Sequence, residues 1–290
     1  MYGGLIRYNK SLLQKFINKM INKSTKYSSN IAQEQQIMID GQTINYIKHG
    51  NGNIPILCFP GALGSIWSDF RPQIEGLDTN KFTIVAWDPP GYGNSRPPSR
   101  SVPKNFYERD ADVAAKFMKS LDIKEYSILG WSDGGISGII MSAKYPENIK
   151  HLAIWGSGSY LVEEDMTACE SIRDLNKWSD KMKSPLIKLY GEEEFKRILN
   201  EWLDTLNAIF RDGGNICKHL LPAVQCPTLI IHGNQDPMLA KEHPKVFLEN
   251  IKNVKIHVFP EGKHNVHLRY AEEFNSVVTR FIEDNSQNKL

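Results

Sequence analysis

Three side chains far apart in this sequence could together make an activated nucleophile: Ser132, Asp236 and His264. A serine hydroxyl attacks poorly until a base takes its proton. The base works best when a carboxylate fixes its tautomer and stabilises the imidazolium. Ser132 is the centre of Gly130-Trp131-Ser132-Asp133-Gly134, a G-x-S-x-G pentapeptide. That pattern carries meaning only where it follows a strand and opens a helix. There the serine sits on a tight turn whose neighbours have no room for a Cβ. Tyr126–Leu129 reads as the strand and the small-residue-rich stretch Gly134–Lys144 as the helix. Such a helix also aims its first amides at the place where negative charge would develop. Asp236 closes the run Ile231-His232-Gly233-Asn234-Gln235-Asp236-Pro237 at the end of an apolar strand. His264 lies in Glu261-Gly262-Lys263-His264-Asn265, just after the next strand.

Other residues compete for these roles. Asp88 also follows a strand and is the alternative acid, but it precedes the serine in the chain. His267, three residues past His264, invites a metal reading; with no His or Cys set nearby it reads as a helix N-terminal or packing residue. His232 reads as a core group. The four cysteines, Cys58, Cys169, Cys217 and Cys226, form no C-x-x-C pair and no disulfide framework. No metal and no cofactor is expected. An oxyanion needs two backbone N–H groups. One is expected from Asp133, the residue after the nucleophile. The other should come from the breaker-rich loop Pro60-Gly61-Ala62-Leu63-Gly64, with Ala62 the first choice and Leu63 the fallback.

These groups must be held by a scaffold, and the hydrophobic pattern supplies one. Ile37–Ile39 and Thr43–Lys48 flank Asp40-Gly41, a hairpin signal. Ile54–Phe59, Phe82–Trp87, Tyr126–Leu129, His151–Trp155, Thr228–His232 and Val254–Phe259 read as strands. Amphipathic helices are expected at Glu108–Leu121 and Arg269–Ile282. Strands alternating with helices predict an α/β fold, a mostly parallel central sheet with helices on both faces. The alternation breaks between Gly156 and Leu221. Trp178, Leu186, Phe195, Ile198, Leu199, Trp202, Leu203 and Phe210 fall there at mainly helical spacing. We expect a helical cap at about 156–221, inserted into a single domain spanning residues 31–290. A cap at the carboxyl ends of the strands would sit over the ligand crevice.

The net charge of +2 is uneven. Residues 1–30 hold Arg7, Lys10, Lys15, Lys19, Lys23 and Lys26 and no acid, so the remainder carries 29 Lys and Arg against 33 Asp and Glu. An acidic body does not advertise nucleic-acid binding. In the leader, Leu5, Ile6, Leu12, Leu13, Phe16, Ile17, Met20 and Ile21 recur at helical spacing, with Lys between them and serines after. A basic, Ser-rich, acid-free amphipathic helix reads as a mitochondrial transit peptide. The alternatives are a basic tail on a cytoplasmic protein and a membrane-surface anchor. No apolar run reaches the length of a membrane span, so no stable membrane insertion is expected. A monomer is the expected state.

With the order Ser132, Asp236, His264, the sequence resembles the α/β-hydrolase superfamily over about residues 35–285. More narrowly it is similar to the biphenyl hydrolase-like proteins, known also as valacyclovir hydrolases. The matching pieces are Pro60-Gly61-Ala62-Leu63-Gly64-Ser65, Ala86-Trp87-Asp88-Pro89, Gly91-Tyr92-Gly93, Ser95-Arg96-Pro97-Pro98, Gly130 to Ile136, Gly214-Asn215-Ile216-Cys217 and Pro260 to Asn265. The resemblance implies a serine hydrolase acting on small α-amino-acid esters, with a mitochondrial leader in some members. It also gives Asp133 a second role, as the carboxylate that binds the substrate's α-ammonium. Helix capping is the plainer role for an Asp at that position. Amino-acyl thiolactones present the same amine and an activated acyl carbon. A generalist carboxylesterase or a carbon–carbon bond hydrolase on the same fold is the alternative enzyme. A non-catalytic binding protein is the alternative from another class.

Overall fold

The computed structural model describes residues 33–286; the basic leader at 1–30 lies outside them. The described chain begins with the hairpin. Asp40 (φ 50°) and Gly41 (φ 81°) take the left-handed conformations of a two-residue turn, which sets Ile39 of β1 (Gln35–Ile39) opposite Gln42 of β2 (Gln42–His49). The remaining strands are β3 (Ile54–Phe59), β4 (Phe82–Trp87), β5 (Tyr126–Trp131), β6 (Ile149–Trp155), β7 (Thr228–Gly233) and β8 (Val254–Phe259). They form one eight-stranded sheet in the order β1-β2-β4-β3-β5-β6-β7-β8. The β1–β2 and β2–β4 pairs are antiparallel and every pair from β4 to β8 is parallel. All six residues of β4 are buried, as a strand covered on both faces requires. The edge strand β8 leaves Ile256 and Val258 exposed.

The chain leaves β3 for β4 on one side and returns to β5 on the other. Such a reversal opens a crevice at the carboxyl ends of the strands, where open α/β sheets bind ligands. Two loops meet there, residues 60–65 after β3 and the turn at Ser132 after β5. Helix α1 (Ile66–Gly76) follows the first loop and starts with a capping box between Ser65 and Ser68. Helix α2 (Phe106–Ser120) joins β4 to β5, and α3 (Asp133–Lys144) follows β5. Helix α3 packs close against the sheet at its glycines. A Cβ on Gly138 would lie 3.1 Å from Ile128 Cγ2.

Between β6 and β7 the chain is helical: α4 (Glu163–Ser171), α5 (Asp180–Tyr190) and α6 (Glu192–Arg211), with short 3₁₀ turns at Leu175–Lys177 and Lys218–Ala223. Helix α6 buries Phe195, Ile198, Leu199, Trp202, Leu203, Leu206 and Ile209, a stripe at three- and four-residue spacing. An isolated antiparallel bridge from Tyr160 to Asn215 closes the base of this segment. After β7 come α7 (His243–Asn250), β8, the single turn α8 (Val266–Arg269) and α9 (Ala271–Ser286). The last helix expected from periodicity, Arg269–Ile282, is therefore shifted and preceded by a separate turn. The break is at Tyr270 (φ −119°, ψ 43°). Its ring stacks on Phe259 at 5.3 Å and its hydroxyl donates to Glu261 O, contacts that take the residue out of helical geometry.

Candidate active site

The turn between β5 and α3 places Ser132 in a conformation that few non-glycine residues adopt, φ 54° and ψ −121°. Residues are held in such regions where the surroundings over-determine them. Ser132 N donates to Trp155 O at 2.9 Å, and Ser132 O accepts from Ser157 Oγ at 2.8 Å. The flanking glycines are required by space. A Cβ on Gly130 would lie 2.6 Å from Gly134 O, and one on Gly134 would lie 2.2 Å from Phe59 O. The sequence signature and the local geometry thus have one cause, a sharp turn wedged between β3 and α3.

Asp236 lies three residues beyond β7, and His264 five residues beyond β8. His264 Nδ1 is 2.9 Å from Asp236 Oδ2, and Met238 N donates to Asp236 Oδ1 at 2.8 Å. An ionised carboxylate only accepts, so the bond assigns the proton to Nδ1 and leaves Nε2 as the basic nitrogen. The Asp236 side chain is buried, whereas that of His264 keeps 21% of its surface exposed. Trp131 Nε1 donates to His264 O at 3.0 Å, tying the histidine loop to the turn that carries Ser132. Gly156 (φ 60°) makes room for the ring; a Cβ there would lie 2.9 Å from His264 Cε1.

Ser132, Asp133 and His264 line one cavity, walled by apolar side chains that include Ile136, Leu206 and Met238. Asp133 is nearly buried beside the serine. Its Oδ1 accepts from the Tyr107 hydroxyl of α2 at 3.0 Å, and its Oδ2 from Trp202 Nε1 of α6 at 2.8 Å. Burial pushes this carboxyl up to about 6, against the pull of the two donors. In the loop after β3, Gly61 N donates to Asp69 Oδ2 and Gly64 N to Gly61 O. The Gly61 and Gly64 amides are thus engaged inside the fold. A Cβ on Gly61 would lie 3.3 Å from Ser132 Cβ, so the loop runs directly against the serine.

The competing residues are placed elsewhere. Asp88 accepts from Ile66 N (2.8 Å), Asn94 N (2.7 Å) and Asn45 Nδ2 (2.9 Å), pinning the loops after β3 and β4. His267 is fully buried among Phe70, Trp131, Trp155 and Phe274, and Trp155 Nε1 donates to its Nδ1 at 2.8 Å. Burial pushes its imidazole down to about 3, so it stays neutral. His232 is half-buried at the end of β7, and burial lowers its pKa too. Among the described residues no group of three or more His, Cys, Asp or Glu could hold a metal ion. Sequence reasoning missed Tyr107 and Trp202, which lie 26 and 69 residues from Asp133. It also missed Asp69 and the buried pair of Asp165 and His243, whose nitrogen and oxygen are 2.8 Å apart. The one signal available was an aromatic residue on the buried stripe of a helix, and that describes most core residues.

Comparison with known proteins agrees with this architecture. The family model for the α/β hydrolase fold matches residues 54–186. Over 249 residues, 86% of each chain, the sequence is 47% identical to the Mus musculus protein named serine hydrolase BPHL. It is 27% identical over 260 residues to a 2-hydroxy-6-oxononadienedioate/2-hydroxy-6-oxononatrienedioate hydrolase of Pseudomonas sp, covering 80% of this chain and 89% of that one. Among solved structures, a putative lipase of Acinetobacter baumannii superposes with a TM-score of 0.75 over the whole of both chains at 17% identity. The chain belongs to the α/β-hydrolase fold family and, within it, to the biphenyl hydrolase-like serine hydrolases.

Proposed function

We propose that this serine hydrolase cleaves small α-amino-acid esters, with Ser132 as nucleophile, His264 as base and Asp236 as the carboxylate that orients it. Ser132 Oγ attacks the ester carbonyl carbon as its proton passes to His264 Nε2. The carbonyl oxygen becomes an oxyanion facing the N–H of Ala62, in the loop after β3, and the N–H of Asp133, at the start of α3, where the helix dipole also favours negative charge. The imidazolium then protonates the departing alcohol and leaves an acyl-enzyme. Water attacks the acyl carbon, giving a proton to the same nitrogen. The tetrahedral adduct collapses to the free acid, and His264 returns the proton to Ser132. Asp236 keeps Nδ1 protonated throughout and stabilises the charged ring. Amino-acyl thiolactones fit the same sequence of steps.

The observation that carries the choice of substrate is the Asp133 carboxylate. It lines the cavity beside Ser132 while its two oxygens are steadied by Tyr107 and Trp202. Each carboxylate oxygen has a second lone-pair site, so the pair can still receive a substrate –NH₃⁺. An ammonium held there fixes the adjacent ester carbonyl over the serine. A simple helix cap needs neither a cavity position nor two donors from distant helices. The carbon–carbon hydrolase reading draws on the Pseudomonas relative, whose name gives it a dioate substrate. A buried carboxylate beside the nucleophile repels such a dianion. The test is kcat/KM for an α-aminoacyl ester, its N-acetylated twin and a simple acyl ester of matched size. The proposal expects the free amine to be preferred by about 30-fold or more, the scale of a desolvated charge pair. Equal values for all three esters would make the protein a generalist carboxylesterase.

A further inference from the structure

The loop that faces Ser132 from β3 is folded around a buried carboxylate. Asp69, in the first turn of α1, is 4% exposed and points back under residues 60–65. Its Oδ2 accepts from Gly61 N at 2.9 Å, and its Oδ1 from Ser68 Oγ at 2.5 Å. Gly64 leaves the space it occupies; a Cβ there would lie 1.9 Å from Asp69 Oδ2. On its other side the loop is held by the helical segment, where the Tyr190 hydroxyl of α5 donates to Leu63 O at 3.0 Å. Leu63 itself has φ 58°, a left-handed conformation that a leucine keeps only when its neighbours enforce it.

A buried carboxylate is costly, and burial pushes this one up to about 7, with Asp88 nearby adding to the push. A chain that needed only packing at this position would do better with an apolar side chain of similar volume. What the carboxylate supplies is an acceptor for one backbone N–H of the loop. That bond turns the Gly61 amide inward, under the loop. We propose that Asp69 is the positioning residue of the oxyanion loop, holding Gly61 so that the Ala62 N–H faces the reacting carbonyl. This rests on the nucleophile reading above. Either charge state of Asp69 keeps an acceptor for Gly61 N–H, so Asn is the conservative replacement.

The experiment compares Asp69→Ala, Asp69→Asn and Gly64→Ala, the last of which crowds the carboxylate out while leaving it in the chain. For each variant three quantities are measured: kcat and KM on an aminoacyl ester, the inhibition constant of an α-aminoboronic acid, and the melting temperature. The boronic acid adds to a serine hydroxyl as a tetrahedral anion and so reads oxyanion contacts. Loss of one such donor costs about 10²–10³-fold, and a misaligned donor part of that. We expect Asp69→Ala and Gly64→Ala to lose about 10- to 100-fold in kcat. The boronic acid should weaken by the same factor, with KM within about twofold and Asp69→Asn within about threefold of wild type. Unchanged kcat and boronate affinity in either folded variant, whatever its melting temperature, would overturn the proposal. So would a loss confined to KM, or an Asn variant as impaired as the Ala variant. Ser132→Ala separates this failure from that of the underlying reading. If it binds the boronic acid as tightly as wild type, the serine is not the nucleophile, and the positioning question does not arise.

Discussion

Two histidine–aspartate pairs lie in this molecule at almost the same separation: His264 with Asp236 at 2.9 Å, and His243 with Asp165 at 2.8 Å. Their surroundings differ. The His243 side chain is 1% exposed, edge-on to Tyr160 at 5.0 Å, with Gly158 pressed so close that a Cβ there would lie 2.9 Å from its Cε1. Asp165 also accepts from Val162 N and Ala240 N, joining the start of α4 to the loop that carries Asp236. The pair works as a strap between the helical segment and the sheet. His264 keeps a fifth of its side chain exposed and shares its cavity with Ser132. Pairing distance therefore does not mark chemistry. What distinguishes the candidate base is a partly exposed ring that lines the same cavity as a serine.

Removing each part separates the two pairs. Ser132→Ala and His264→Ala should each lower kcat/KM by about 10⁴- to 10⁶-fold, with melting temperatures near wild type. Near-wild-type turnover by either folded variant contradicts the triad. Asp133→Asn keeps the backbone N–H and the side-chain shape but removes the charge. It should cost free-amine esters about 30-fold to several thousand-fold in kcat/KM and leave N-blocked esters little changed. An unaltered ratio between the two ester types would reduce Asp133 to a helix cap.

His243→Ala should do the reverse of His264→Ala. It strips a buried carboxylate of a partner, which costs about 2–4 kcal/mol in urea unfolding, while the folded enzyme keeps kcat/KM within about tenfold. A rate loss as large as that of His264→Ala, with stability unchanged, would erase the distinction between the pairs. The smallest effect is in pH. Asp133 is pushed up to about 6, so its charge is present above that value and is lost as pH falls through it. A substrate α-amine loses its charge above about 8. The preference for free-amine esters, read as the ratio of kcat/KM values, should be greatest between these limits. It should fall several-fold from pH 7 to pH 5, and a ratio independent of pH would contradict the ammonium pairing.

How much of this was legible in the sequence depended on whether a feature is local. The hairpin at Asp40-Gly41 and the turn at Ser132 are written in neighbouring residues, because left-handed backbone and close approach select glycine or a small set of substitutes. Asp236 and His264 could be found because each sits in a short loop just past an apolar strand, and parallel strands bring such loops to one end of a sheet. Tyr107, Trp202 and Asp165 could not. Each is one more residue on an amphipathic helix, and only the packing of that helix decides which buried side chain meets a carboxylate. Asp69 was hidden for a related reason: its partner is a backbone amide, and amides leave no mark in a sequence. The boundary at Tyr270 was misplaced because ring contacts with Phe259, eleven residues away, outweigh local helical preference.

Two features define the proposed activity: Ser132 as the nucleophile, and acyl groups that carry a free α-amine. Diphenyl α-aminoalkylphosphonates test both halves at once. A serine oxygen displaces phenoxide from phosphorus and leaves a stable adduct, whose position is read by peptide mass and whose rate of formation is read by time. A single adduct on Ser132 is expected, absent in Ser132→Ala, forming about 30-fold or more faster from the free-amine reagent than from its N-acetylated twin. An adduct on another residue, or equal rates for the two reagents, would contradict it.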